Sequence, residues 1–254
     1  MTSPTVTPLL DPEQIELFRT DGFLKLDQIV PADLWRAARR AINARLGAEG
    51  IDPEKLNTYR SQSYMPGLQN SDAIRNLYTG SPLAPIMDSL IGPGKVAPVG
   101  GGQIALRFPS ESDAPRPPSA HIDGMYTPTN GVPKGTIQNF TALVGVFLSD
   151  IPDNFCGNFA VWPGSHRAHA DYFRDRGPRS LLDGMPPVTL APAQQVIARP
   201  GDAVIAHYLL GHGVAGNVSP DVRYAIFFRL YHVDHEALRW ESMTDPWREW
   251  EGLS

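Results

Sequence analysis

His121 and Asp123 stand two residues apart, and His212 and Arg223 follow much later in the chain. Two imidazoles and one carboxylate are the donor set of a facial triad that holds non-haem Fe(II) and leaves positions open for oxygen and a co-substrate. In an extended strand, residues two apart point to the same side, so His121 and Asp123 can converge on one ion. The third ligand must come from elsewhere in the fold. His212 is preferred, because Gly211 and Gly213 flank it at the end of an apolar strand. His207 is the rival, but it follows Ala203-Val204-Ile205-Ala206, where a hydrogen-bonded core histidine is expected. An isolated His-x-Asp pair arises by chance. The row His212, Asn217, Arg223 gives this one weight. The planar fork of an arginine matches a carboxylate bidentately. A dicarboxylate that chelates the ion at one end needs such an anchor at the other.

These residues need elements to position them. Asp11-Pro12-Glu13 starts a helix: Asp caps, Pro suits the first position and Glu favours the first turn. Ile15, Leu17 and Phe18 give it an apolar face, and Gly22 ends it. Phe23–Leu26 reads as a short strand. A second helix is expected from Pro31 to Leu46, stopping at Gly47, with weaker helices over 71–79 and 83–91. After Gly92, short apolar runs alternate with Gly, Pro and Asp. Strands are expected near 103–108, 119–123, 141–149, 158–162, 188–191, 195–199, 202–208 and 223–231, with Pro200-Gly201-Asp202 as a turn. His166 to Arg176 is a helical excursion, and the stretch bearing Trp240, Trp247 and Trp250 is a helix docked on the body. Many short strands with turn signals between them indicate a sandwich or barrel. The expected architecture is mainly β with buttressing helices: a double-stranded β-helix (jelly-roll, cupin-like) core. A single domain is expected over 1–254, with a mostly helical part (1–92), the jelly roll (93–235) and a C-terminal extension (236–254). Residues 1–10 read as a loose tail.

Composition bounds the partners. The 254 residues are 42% apolar, with 25 Pro and 23 Gly, a turn-rich chain that can still build a core. A net charge of -5 without a basic run gives a nucleic-acid partner no support. Arg36 to Arg45 reads as a solvated helix face. The single cysteine, Cys156, cannot form an internal disulfide and reads as a buried small residue. The start lacks the pattern of a signal peptide, and no apolar run reaches the roughly 18 residues of a membrane span. A soluble cytoplasmic protein acting on a small molecule, away from membranes, is the expectation.

Four stretches carry a resemblance: Phe18-Arg19-Thr20-Asp21-Gly22-Phe23; the His121-Ile122-Asp123 pair; Gly157-Asn158-Phe159-Ala160-Val161-Trp162-Pro163-Gly164-Ser165-His166; and Pro200-Gly201-Asp202 followed by His212-Gly213, Asn217 and Arg223. Together they resemble the phytanoyl-CoA dioxygenase family of Fe(II)- and 2-oxoglutarate-dependent oxygenases with a jelly-roll core. The resemblance covers most of the chain and is weakest over 47–100. It implies that His121, Asp123 and His212 bind iron and that Arg223 binds the distal carboxylate of 2-oxoglutarate. It also implies that oxygen is consumed with release of succinate and CO2. One departure is the order Gly157-Asn158, where the family commonly has Asn-Gly; this bears on loop shape. Family halogenases lack the metal carboxylate. Asp123 is present, so hydroxylation of an unactivated C–H, or a related oxidation, is implied. The sequence shows no basic groove for a coenzyme A phosphate, so a free small molecule or biosynthetic intermediate is the expected substrate.

Further positions are candidates. Thr141 and Gln103 lie on strands facing the barrel mouth and could touch 2-oxoglutarate. Arg107 interrupts an apolar strand, where a buried charge needs a partner on ligand or protein. Tyr126 and Trp162 are candidates for the substrate pocket. His166, His169, His232 and His235 read as structural or surface residues. Tyr59 to Asn70 is either an active-site lid or an ordinary loop. Two other readings compete: a cupin-like Zn or Mn hydrolase or isomerase using the same ligands, and a non-catalytic ligand-binding jelly roll.

Overall fold

The computed structural model describes residues 9–253; the expected tail therefore lies, over 1–8, outside the described residues. Helix α1 (Pro12–Asp21) opens on a reciprocal cap, with Asp11 Oδ1 accepting from the Gln14 amide at 2.8 Å and Gln14 Oε1 accepting from the Asp11 amide at 3.0 Å. Gly22 ends it in the left-handed region, and strand β1 (Phe23–Leu26) follows. Helix α2 (Ala32–Glu49) runs through Gly47 and stops at Gly50. A mid-helix glycine costs only about 1 kcal/mol, and packing overrides it. Three shorter helices follow: α3 (Leu56–Ser61), α4 (Asp72–Thr79) and α5 (Leu83–Ile91). The rest of the chain contributes β2 (Gln103–Arg107), β3 (Ala142–Phe147), β4 (Phe159–Val161), α6 (Ser165–Arg176), β5 (Gln194–Gln195), β6 (Ala203–His207), β7 (His212–Val214), β8 (Arg223–Leu230) and α7 (His235–Leu238).

The strands form two antiparallel sheets, one in the order β1-β6-β3-β8-β2 and the other β5-β4-β7. This is the jelly-roll core with flanking helices. The large sheet is buried on both faces, and the period of two sorts its residues. Ala142, Val144 and Val146 of β3 share a core with Ile226 and Phe228 and with the helical residues Ile42, Ile74 and Leu90. Leu143 and Phe147 turn instead to the space between the sheets, with Phe159, Val161 and Phe227. Gly145 keeps that space open, because a Cβ there would sit 2.6 Å from the Phe227 ring.

Four expectations are corrected. Residues 119–123 are not a strand; only His121 forms a bridge, to His212. Residues 188–191 are irregular, and 195–199 shrinks to β5 plus a bridge between Ile151 and Ala198. The tryptophan-bearing C-terminus is not one helix but α7, turns and a single 3-10 turn at Glu251–Leu253. Pro246 accounts for this, since it has no amide hydrogen and disfavours helix at the residue before it. Trp250 is nonetheless buried, 5.0 Å from the Phe18 ring of α1. No described helix is long and apolar enough to cross a membrane.

Candidate metal centre and its pocket

The stretch 18–23 and the stretch 157–166 lock together. Gly22 lies against the His166 ring, where a Cβ would come within 2.4 Å of Nδ1, and the Gly164 amide donates to Asp21 O at 2.9 Å. Gly164 takes a positive φ of 76° and opens α6. Ser165 Oγ then donates to Trp162 O at 2.5 Å and accepts from the Gly211 amide at 2.8 Å. His169 Nδ1 meets Leu209 O at 2.7 Å. The Pro163-Gly164-Ser165-His166 turn thus fixes the segment 209–211 that delivers His212.

His212 and His121 face each other as an antiparallel pair, each amide donating to the other's carbonyl at 2.9 and 3.0 Å. Main-chain bonds therefore set the spacing of the two imidazoles. The side chain of His212 meets Leu210 O through Nδ1 at 3.0 Å, which makes Nδ1 the donor and leaves Nε2 unprotonated for a metal. Nε2 of His121 and of His212 lie 3.4 and 3.6 Å from Asp123 Oδ1. All three ligand atoms fall within 4.8 Å of one another. His207 takes no part. Its Nε2 meets Pro246 O at 2.6 Å, its Nδ1 accepts from the Leu209 amide, and its ring stacks on Trp250. Burial pushes it down to about 4, so it stays neutral.

The other oxygen of Asp123 is held by Arg229, whose Nη2 and Nε both donate to Oδ2, at 2.6 and 3.1 Å. Nη1 of the same guanidinium donates to Gln103 Oε1 at 3.0 Å. Burial alone would raise the Asp123 carboxyl; Arg229 and the two histidines outweigh it and hold the group well below the usual carboxylate range. It is a permanent anion. Tyr208 adds a hydrogen bond to Asp123 O at 3.1 Å.

A pocket of about 360 Å³ opens over this centre. Gln103, Arg107, Arg223 and Arg229 line it along β2 and β8, where Arg107 pairs directly with Arg223. Arg223 is 2% exposed. Its Nε and Nη1 donate to Gly157 O and Ala105 O at 2.8 and 3.0 Å, but the buried Nη2 has no partner. Burial, and then the charge of Arg107, lower the Arg223 pKa to about 9. An orphaned buried guanidinium nitrogen is costly and suits an incoming carboxylate. The order Gly157-Asn158 is explained here. Gly157 has φ +74°, and a Cβ on it would lie 2.9 Å from Arg107 Cβ and 3.2 Å from Arg223 Cβ.

Three of the residues expected here lie elsewhere. Thr141 is buried outside the pocket, donating to Glu249 Oε2 at 2.6 Å and accepting from the His232 amide at 2.7 Å. Tyr126 is 44% exposed and does not line the cavity. Trp162 is buried beside Gly213 and braces the Pro163-Gly164 turn through its carbonyl. Conversely, Arg229, Arg60 and Ser61 line the pocket and were not among the candidates read from the sequence. Arg229 had a signal: it lies six residues beyond Arg223 on one strand, hence on the same face. Arg60 and Ser61 sit on α3, within the segment read as lid or loop. Ser61 Oγ and Gln62 Nε2 reach Thr129 at 2.9 and 2.8 Å, closing α3 onto the loop after Asp123 as a roof.

No family model and no curated protein matches the sequence. Solved structures do match the fold. The non-haem α-ketoglutarate-dependent carbocyclase SnoK from nogalamycin biosynthesis aligns with a TM-score of 0.57 and 20% identity over 94% of each chain. HygX from Streptomyces hygroscopicus, with nickel and 2-oxoglutarate bound, aligns at 0.58 and 18% over 88% of each chain. The epimerase SnoN with Fe3+, α-ketoglutarate and nogalamycin RO aligns at 0.56 and 19%, over 87% of this chain and 82% of SnoN.

Proposed function

We propose that this chain is an Fe(II)- and 2-oxoglutarate-dependent oxygenase that oxidises an unactivated C–H of a small molecule. One observation carries the reading: two imidazoles and a carboxylate converge within 4.8 Å, and the same pocket holds a buried arginine with an unpaired nitrogen. The donor set would suit Fe(II) and would leave positions open for a co-substrate and oxygen. Bound iron supplies oxygen activation, with 2-oxoglutarate as the sacrificial reductant that leaves as succinate and CO2.

The chain's own residues do the positioning. His121, Asp123 and His212 hold the ion, with Arg229 and Gln103 fixing the carboxylate. Arg223 receives the distal carboxylate of 2-oxoglutarate through Nη2, and its two bonds to main-chain carbonyls keep the fork from swinging. Leu143, Phe159 and Phe227 line the same cavity and exclude water from it. The proteins of like fold include a non-haem epimerase and carbocyclase as well as a non-haem monooxygenase. Hydroxylation is the simplest outcome for this chain. A hydrolase using zinc or manganese would have no use for the Arg223 anchor.

The test has two readouts. Calorimetry should detect Ni(II) binding, followed by 2-oxoglutarate binding that depends on the metal. Arg223→Ala should weaken the second step by at least tenfold and leave the first unchanged. Succinate formation coupled to oxygen uptake should require Fe(II). Absence of metal-dependent 2-oxoglutarate binding would end the proposal.

A further inference from the structure

The pocket over the metal centre is not isolated. A second hollow, of about 760 Å³, shares Arg60, Arg107 and Val214 with it and runs outward along residues 108–110, 112, 114–117 and 214–218. Its walls are laced together. The Ser110 amide donates to Asn217 O at 2.7 Å, the Gly216 amide to Arg116 O at 2.9 Å, and Asn217 Nδ2 to Arg107 O at 2.9 Å. Phe108, Pro109, Pro115, Pro117 and Val218 give it an apolar wall among polar groups, and Arg116 adds a third cation.

The charges are lopsided. The protein as a whole is acidic, at -5, yet the two hollows are lined by Arg60, Arg107, Arg116, Arg223 and Arg229, with Asp123 as the sole carboxylate. Arg229 is taken by Asp123. Among the described residues, Arg60, Arg107 and Arg116 enter no ion pair. With a divalent metal bound, Arg229, Arg223 and the ion carry +4, against −3 from Asp123 and a dianionic co-substrate, so the centre has no spare anion to offer. Arg107 and Arg60 then stand uncompensated at the waist between the hollows. Burial strips Arg107 of hydration, which Tyr64 offsets in part and the charge of Arg60 opposes, and both arginines line both hollows. An anion placed between them relieves both penalties.

Resting on the oxygenase reading, we propose that the substrate carries an oxyanion, a carboxylate or a phosphate, bound at this waist by Arg107 and Arg60. Its reacting carbon enters the inner pocket, and the remainder lies along the apolar wall of the outer hollow.

The probes are octanoate and octyl phosphate, with octanol and octylamine as neutral and cationic matches, titrated into protein loaded with Ni(II) and 2-oxoglutarate. Both anions should bind at least tenfold more tightly than octanol or octylamine. The stronger of the two identifies the headgroup. Arg60→Gln and Arg107→Gln should each weaken anion binding at least fivefold while 2-oxoglutarate affinity stays within twofold; Arg45→Gln, on the exposed side of α2, should change nothing. Arg60 is exposed, so its variant tests the site even if loss of Arg107 disturbs the fold. Anions binding no better than octanol, or binding unaffected by either substitution, would overturn the proposal. So would an Arg107→Gln variant that loses 2-oxoglutarate but keeps octanoate, since Arg107 would then belong to the co-substrate. If metal and 2-oxoglutarate fail to bind while arginine-dependent anion binding persists, the oxygenase reading falls and the anion site stands.

Discussion

Asp123 divides its oxygens between two duties: Oδ2 is gripped by Arg229 and Oδ1 faces the imidazoles. Arg229→Ala should free the carboxylate to rotate and weaken Ni(II) binding by about 10- to 100-fold, the usual cost of losing an outer partner of a metal ligand. Arg229→Lys should recover only part, because one ammonium cannot span both Asp123 and Gln103. Unchanged metal affinity in the alanine variant would mean that the main-chain pairing of His121 with His212 fixes the site alone. Gly157→Ala tests the Arg223 anchor from behind. A Cβ there meets Arg107 and Arg223 at a positive φ, so the variant should lose about 1–3 kcal/mol of stability and bind 2-oxoglutarate less well. Denaturant midpoints and calorimetry check both halves. The triad is legible in the sequence because few residue types carry metal-binding atoms. Arg229 hides, because an arginine in an alternating strand reads as solvent-facing until the inner face is known, and only Arg223 tells which face that is. Thr141 deceives for a related reason: it precedes β3, and the polar partners that claim its hydroxyl, Glu249 and His232, are remote in sequence.

At the scale of elements, the barrel strands rich in Val, Ile and Phe are recoverable from composition and period, and so is α1 from its cap. The strand expected at 119–123 fails because it has one bridging partner and no ladder; its neighbours are Pro117, Pro118 and Gly124. Helix α3 is opaque for another reason. Six residues without a strong apolar face give no periodic signal, and the helix is held by what it touches. Those contacts are testable. Replacing Ser61 and Gln62 with alanine removes two hydrogen bonds to Thr129, each worth about 1 kcal/mol. Amide exchange over 56–62 should then quicken by about 5- to 30-fold, while β8 is unaffected. Equal rates in both proteins would show that the roof is held by packing instead.

For the molecule as a whole, buried neutral histidines tie stability to pH. His166 and His207 lie 5.6 Å apart beneath the C-terminal tryptophans, and burial lowers them to about 3 and about 4. Each binds a proton in the unfolded chain near pH 6.5 but not in the folded one, so stability is complete above that value and drains away as pH falls toward the folded pKa. Between pH 7 and pH 5 each should cost about 2 kcal/mol, a large share of a typical total. Urea midpoints measured across that range should fall steeply, and His207→Gln should flatten the slope. The sheet order carries a last consequence. In β1-β6-β3-β8-β2, the three strands made first never touch one another; each waits for β6 or β8. On the ribosome, then, the barrel has no partial form: Phe23 has nothing to pair with until Ala206 emerges, and β2 stays solitary until β8 arrives. Such distant pairing makes for slow closure. The nascent chain must keep its apolar strands out of trouble through nearly the whole of its synthesis.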